Sequence, residues 1–186
     1  MGHEVRIIAS PETYDNTHQK LVYLQPKSYY TNDDIFIKRI QYSNLIPLKI
    51  ARKIRYYPGL MDEIENFKPE FIFAHGIQMY DILTLSKFKD KYPDTKIVMD
   101  NHADDHNSAQ NIISKNILHK FIYKKWIKKS LKNIDKIYYT TPETKEFAIK
   151  MYDIPDEKME YLPLGGIYMK IANTMSIDVK LENIIK

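Results

Sequence analysis

Residues 97–108 read Ile-Val-Met-Asp-Asn-His-Ala-Asp-Asp-His-Asn-Ser, and the abrupt change from three apolar side chains to an almost wholly polar run decides the architecture. Ile97, Val98 and Met99 have the form of a short buried strand, and the residues after Ser108 regain helical periodicity. A buried strand that empties into a polar loop and then a helix is the repeating unit of a parallel α/β sheet. In such sheets ligands bind outside the carboxyl ends of the strands.

The same cadence recurs on both sides. Phe71-Ile72-Phe73-Ala74 runs into His75-Gly76, and Lys136-Ile137-Tyr138-Tyr139 runs into Thr140-Thr141. Helices are expected over about 79–92, 108–132 and 143–152, with Ser108 and Thr141 as amino-terminal caps and 159–162 as a last short strand. Upstream, 5–9 is a strand stopped by Ser10-Pro11, and 21–24 and 35–40 are strands that an edge hairpin would join. Residues 47–67 read as helix broken at Pro58-Gly59, because proline disfavours helix in the residue before it. The whole predicts one domain with a Rossmann-like, mostly parallel sheet flanked by helices.

With 186 residues, 44% apolar and 28% charged, the chain can bury a core and lacks the composition of a disordered segment. No run approaches the ~20 apolar residues that span a bilayer, and the start has no basic-then-apolar leader, so a cytoplasmic location is expected. The absence of cysteine removes disulfides, thiolate nucleophiles and Cys-ligated zinc, so a metal would rest on His, Asp and Glu. The net charge of +4 is unevenly placed, with seven lysines and no acid between Lys115 and Lys132. In that stretch Ile117, Leu118, Phe121, Ile122 and Ile127 form an apolar side, while Lys120, Lys124, Lys125, Lys128 and Lys129 lie mainly elsewhere with Trp126 among them. Such a face is either solvated or rests on an anionic membrane. A nucleic-acid partner is not expected, because no basic groove with interleaved aromatics accompanies it.

The residues suited to chemistry gather behind the strands. His102, just past a strand end, can act as base, hydrogen-bonding group or metal ligand, or merely organise the turn. His75 would line the same cleft if the two strands are neighbours, with Gly76 there to permit a tight turn. Asp100, His102, Asp104 and His106 alternate types that suit a hard or borderline metal, which raises a metallohydrolase as a second reading. Asp104 and Asp105 also suit the positive end of a helix, and Asn107 and Ser108 can bind ligand hydroxyls or cap with equal ease.

Residues 2–10 (Gly-His-Glu-Val-Arg-Ile-Ile-Ala-Ser), Phe73-Ala74-His75-Gly76, Asp100-Asn101-His102-Ala103-Asp104, Asn107-Ser108-Ala109, and Tyr152 to Pro155 followed by Leu162-Pro163-Leu164-Gly165-Gly166, taken in order, resemble the amino-terminal half of bacterial family 4 glycosyltransferases. The resemblance spans residues 2–166. It implies a GT-B architecture of two Rossmann-like domains and transfer from a nucleotide sugar with retention of configuration, with no cofactor and no required metal. It implies that this half shapes the site for a glycan or lipid-linked acceptor while a second domain holds the donor. By that resemblance His102 faces the transferred sugar, orienting it by hydrogen bonds, and His75, Gly76, Asp100, Asn101, Asp104 and Asn107 line the substrate site. The lysine helix would then meet the inner face of the cell membrane.

Two departures shape the expectation. Family members carry a strand, a glycine-rich loop and a helix ahead of the Gly-His-Glu-Val element, which here opens the chain, and residues 167–186 do not match the linker that follows Leu-Pro-Leu-Gly-Gly. The reading is therefore a partial amino-terminal domain over 1–166 with a non-matching tail, inactive alone. It would be a fragment for surface polysaccharide or glycolipid synthesis, or a non-catalytic partner of a separate donor-domain chain.

Overall fold

A computed structural model describes residues 3–104 and 114–163, except for the side chains of 114–117. Four strands, β6 (Phe71–Ala74), β7 (Lys96–Asn101), β8 (Lys136–Tyr139) and β9 (Met159–Tyr161), pair in that order, all parallel. The register aligns Ala74 with Met99, Met99 with Ile137 and Ile137 with Met159, so these side chains share one face. That face is the core side. Ile97, Met99, Ile137 and Met159 pack there with Ile64, Phe88, Ile127, Phe147 and Tyr152 from the helices. The helices are α2 (Leu60–Phe67), α3 (Ile82–Lys91), α4 (Lys124–Ser130) and α5 (Pro142–Tyr152). Five of the six residues of β7 are buried, as a central strand requires.

Local chemistry sets the helix ends. Thr141 caps α5 in a capping box, its hydroxyl accepting from the Thr144 backbone while the Thr144 hydroxyl accepts from Thr141, and Pro142 fills the first turn, where its missing N–H costs nothing. The expected break at Pro58-Gly59 separates α1 (Leu48–Ile54) from α2. The basic stretch begins with π-type winding over Ser114–Tyr123, continues as α4 and ends in a 3-10 turn, Leu131–Asn133. Buried His119 in that stretch pairs its Nδ1 with the Tyr152 hydroxyl at 2.6 Å, and burial holds its pKa below the usual histidine value. The expected cap Ser108 lies outside the described residues.

The amino-terminal part differs from expectation. Residues 21–24 and 35–40 do not form a hairpin. β3 (Lys20–Tyr23) pairs antiparallel with β2 (Glu12–Asp15), through a turn in which Asp15 accepts from the backbone of Thr17 and His18 and Gln19 takes a positive φ of 49°. β5 (Phe36–Arg39) pairs antiparallel with β4 (Ser28–Tyr30) and parallel with β1 (Arg6–Ala9). Ile8 packs against the main core and the Arg6 guanidinium sits 4.2 Å over the Phe67 ring, joining this small sheet to α2. Phe121, expected on the apolar side of its helix, is 69% exposed. The result is a single α/β domain with helices flanking mixed and parallel sheets, consistent with a Rossmann-like fold.

Candidate functional site

The carboxyl ends of β6 and β7 bring His75 and His102 together around one buried carboxylate. Asp100, 2% exposed, is the last residue but one of β7. Its Oδ2 lies 2.6 Å from His75 Nδ1 and 3.0 Å from His102 Nε2, and its Oδ1 accepts the Gly76 backbone N–H at 2.6 Å. The imidazole centroids are 4.8 Å apart at 47°. The His75 side chain is 73% exposed and that of His102 38%.

This arrangement fixes tautomers. A neutral imidazole facing a carboxylate oxygen must carry its proton on the nitrogen nearest it, which leaves His75 Nε2 as a lone-pair acceptor. Such an acceptor, with a second imidazole and a buried negative charge beside it, suits a ligand rich in hydroxyl donors. His75, Asp100 and His102 each also offer one ligand atom, all within 4.8 Å of one another, so these three could hold a divalent ion.

The turn after β6 depends on Gly76, whose φ of 87° other residues rarely adopt. A Cβ there would lie 2.8 Å from Arg55 Nη1, the group that reaches the His75 carbonyl oxygen at 3.4 Å from the end of α1. Asn101 is fully buried and engaged internally: its amide donates to the carbonyls of Thr144 (2.7 Å) and Ala103 (3.1 Å), and its oxygen accepts from Gln78 at 2.7 Å. It ties the β6 loop, the β7 loop and the start of α5 into one frame. Asp104 is half-buried beside this frame, and Asn107, like Asp105 and His106, lies outside the described residues.

The model of Glycosyltransferase Family 4 matches residues 1–165. The chain belongs to glycosyltransferase family 4. No curated protein matches its sequence. Membership in this family makes a sugar nucleotide and an acceptor the general kind of partner.

In this glycosyltransferase-family domain the expected membrane-facing residues have varied surroundings. Lys124 and Lys128 both pair with Asp153, at 2.7 and 3.2 Å, while Lys120, Lys125 and Lys129 are exposed. Trp126 turns inward, its ring 5.2 Å from that of Tyr80 and 5.8 Å from that of Tyr123. Sequence reasoning passed over Arg55, Gln78 and Asp81. Asp81 is fully buried, accepts from the Tyr57 N–H at 2.8 Å and the Thr84 hydroxyl at 2.7 Å, and burial pushes its pKa up to about 6. Its one sequence signal was an acid just ahead of an apolar helix; Arg55 and Gln78 had none.

Proposed function

We propose that this domain is the acceptor side of a retaining, nucleotide-sugar-dependent glycosyltransferase of the GT-B type, acting in surface polysaccharide or glycolipid assembly. The observation that carries the reading is the Asp100 clamp, which presents two imidazoles with fixed tautomers at the ends of adjacent parallel strands. His75 Nε2 accepts a hydrogen bond from a sugar hydroxyl, His102 stands beside it facing the sugar, and the buried carboxylate holds both rings against rotation. The rate gain from such groups is positional, since holding donor and acceptor in reacting geometry removes the entropy cost of their encounter. Donor binding belongs to a separate domain, so residues 1–186 alone turn over no nucleotide sugar.

The test is His102→Ala in the enzyme assembled with its donor domain. Turnover should fall by roughly 10² or more, as when one preorganised polar group is removed from a reacting centre, with an unchanged circular dichroism spectrum. An unchanged rate makes His102 a turn residue and defeats the reading. The three-atom cluster also supports a His/Asp metallohydrolase as a second reading. Calorimetry showing no binding of manganese, zinc or iron removes it.

A further inference from the structure

The chain has four arginines, and three of them are committed within the fold. Arg6 pairs with Glu4 and lies over the Phe67 ring, Arg52 pairs with Glu12, and Arg39 donates to the carbonyls of Ser10 and Glu12. Arg55 is the exception. Its one hydrogen bond among the described residues runs from Nη1 to the His75 carbonyl oxygen at 3.4 Å, and no acid among them pairs with it. From Ile35 to Met61 the sequence supplies six basic residues and no acid that could neutralise this charge locally. A basic side chain at a helix end ordinarily serves the last carbonyls of its own helix. This one leans away from α1, across to the turn that presents His75.

The backbone that carries Arg55 is well anchored. Arg55 closes α1 as its carboxyl-terminal cap, and the residues on either side of it are tied to the loop after β6 by two further bonds, Tyr80 N–H to the Ile54 carbonyl at 2.7 Å and Tyr57 N–H to Asp81 Oδ2 at 2.8 Å. Gly76 leaves the room that the guanidinium takes, since a Cβ there would stand 2.8 Å from Nη1. The peptide between His75 and Gly76 is thus held on both sides, its carbonyl by Arg55 and its N–H by Asp100. A ligand that meets the His75 ring therefore lies within one residue of a positive charge. With Nη1 engaged, the edge formed by Nε and Nη2 keeps two parallel N–H donors, a fork that matches the two oxygens of a carboxylate.

We propose that the acceptor taken by this cleft is an acidic glycan, with a hexuronic acid unit whose carboxylate sits on Arg55 while one of its ring hydroxyls meets His75 Nε2. The inference rests on the reading of the His75 and His102 cleft as a sugar site, and it names the class of sugar. A carboxylate fits better than a phosphate ester. Asp100 already places one negative charge on this turn, and among the described residues no other basic side chain bonds to it, so the lone guanidinium balances a monoanion and leaves a dianion in excess.

The experiment is a nuclear magnetic resonance titration of the whole nitrogen-15-labelled chain with methyl β-glucuronide, methyl β-glucoside and methyl β-glucoside 6-phosphate, which differ only at the last carbon of the sugar. Four arginines give four Nε–H signals, and Arg55→Gln identifies one of them by its loss. The glucuronide should move that signal together with those of the His75 ring, and should bind at least about threefold tighter than the glucoside, the size of an exposed charge pair. The preference should narrow when salt rises from ~50 to ~500 mM. It should vanish in Arg55→Gln and persist in Lys53→Gln, which removes a neighbouring exposed cation. A preference under about twofold in the parent, one that survives Arg55→Gln, or one that Lys53→Gln abolishes as well overturns the inference and leaves the sugar reading in place. Tighter binding of the phosphate than of the glucuronide overturns the carboxylate. If none of the three compounds moves the His75 or His102 signals, the sugar reading falls and the inference falls with it.

Discussion

The four-stranded parallel sheet and the strands of residues 3–40 are built on opposite principles. In the first, β7 is buried over five of its six residues, and Ile137 of β8 and Met159 of β9 share a core with Phe88, Ile127 and Phe147 of the helices. In the second, no residue of β1 to β5 is buried, and Val5, Tyr14, Leu21, Tyr23 and Tyr30 are open to solvent. Packing holds one part, and backbone pairing with surface polar contacts holds the other. The comparison teaches where this molecule keeps its rigidity: the candidate site stands on the packed sheet, while the small strands attach to it through Ile8 and Arg6.

The contrast can be broken most forcefully in the core. Phe88→Ala, at a fully buried position, should cost about 3–5 kcal/mol in a denaturant titration. An effect under about 1 kcal/mol would mean that the helical layer is loosely packed after all. Next comes Asp100→Asn, which leaves the fold's apolar contacts intact but turns an NH2 group towards one of three donors. A loss of about 2–3 kcal/mol is expected from the mismatch in a buried site. Nitrogen-15 spectra should show both rings leaving their fixed tautomers, and unchanged ring signals would contradict the clamp.

Asp81 sharpens the comparison through pH. Its folded pKa, about 6, lies above the ordinary 3.8, so the folded state binds the proton more tightly than the unfolded state. Stability is then greatest at low pH, falls as pH rises from about 4 through about 6, and stays lower above that. Asp81→Asn can keep both hydrogen bonds without the buried charge. It should match the parent near pH 4 and exceed it by about 1–3 kcal/mol at pH 8, and equal melts at both pH values would refute the burial argument. Thr141→Ala removes one half of the capping box and should cost about 1 kcal/mol, visible as a small drop in melting temperature. Smallest of all, Leu21→Ala at a 55% exposed position should stay within about 0.5 kcal/mol. A large loss there would erase the distinction between the two regions.

What the sequence made legible follows the same line. The run Ile97 to Met99 announces itself because a covered parallel strand must be apolar; Phe71 to Ala74 is legible by the same apolar signal, although Phe71 and Phe73 are 58% and 48% exposed, and the polar residues after both runs mark the site. Thr141-Pro142 was readable as a helix start from residue type alone. The hairpins were not, since strands of three or four half-exposed residues leave little apolar signal; the deciding information sat in Asp15, Gln19 and Asp34, whose turn geometry depends on local hydrogen bonds and positive φ. His75 and His102 could be named as neighbours, but the buried carboxylate shared between them required the register. Asn101 read as a ligand-facing polar residue, whereas its partners Thr144 and Gln78 lie 43 and 23 residues away in sequence. Trp126 looked like part of a basic surface because nothing in the sequence marks Tyr80 as its neighbour.

One consequence follows from the register of β6 and β7. Pairing of β6 ends where Ala74 meets Met99, whereas β7 continues to Asn101 beside Tyr139 of β8. The sheet's edge is therefore a staircase, with a step two residues, or about 7 Å, high. His75 hangs over the lower tread and His102 rises from the upper one, with Asp100 as the riser between them. The unequal length of two neighbouring strands is therefore what lets one carboxylate reach an imidazole on each of them.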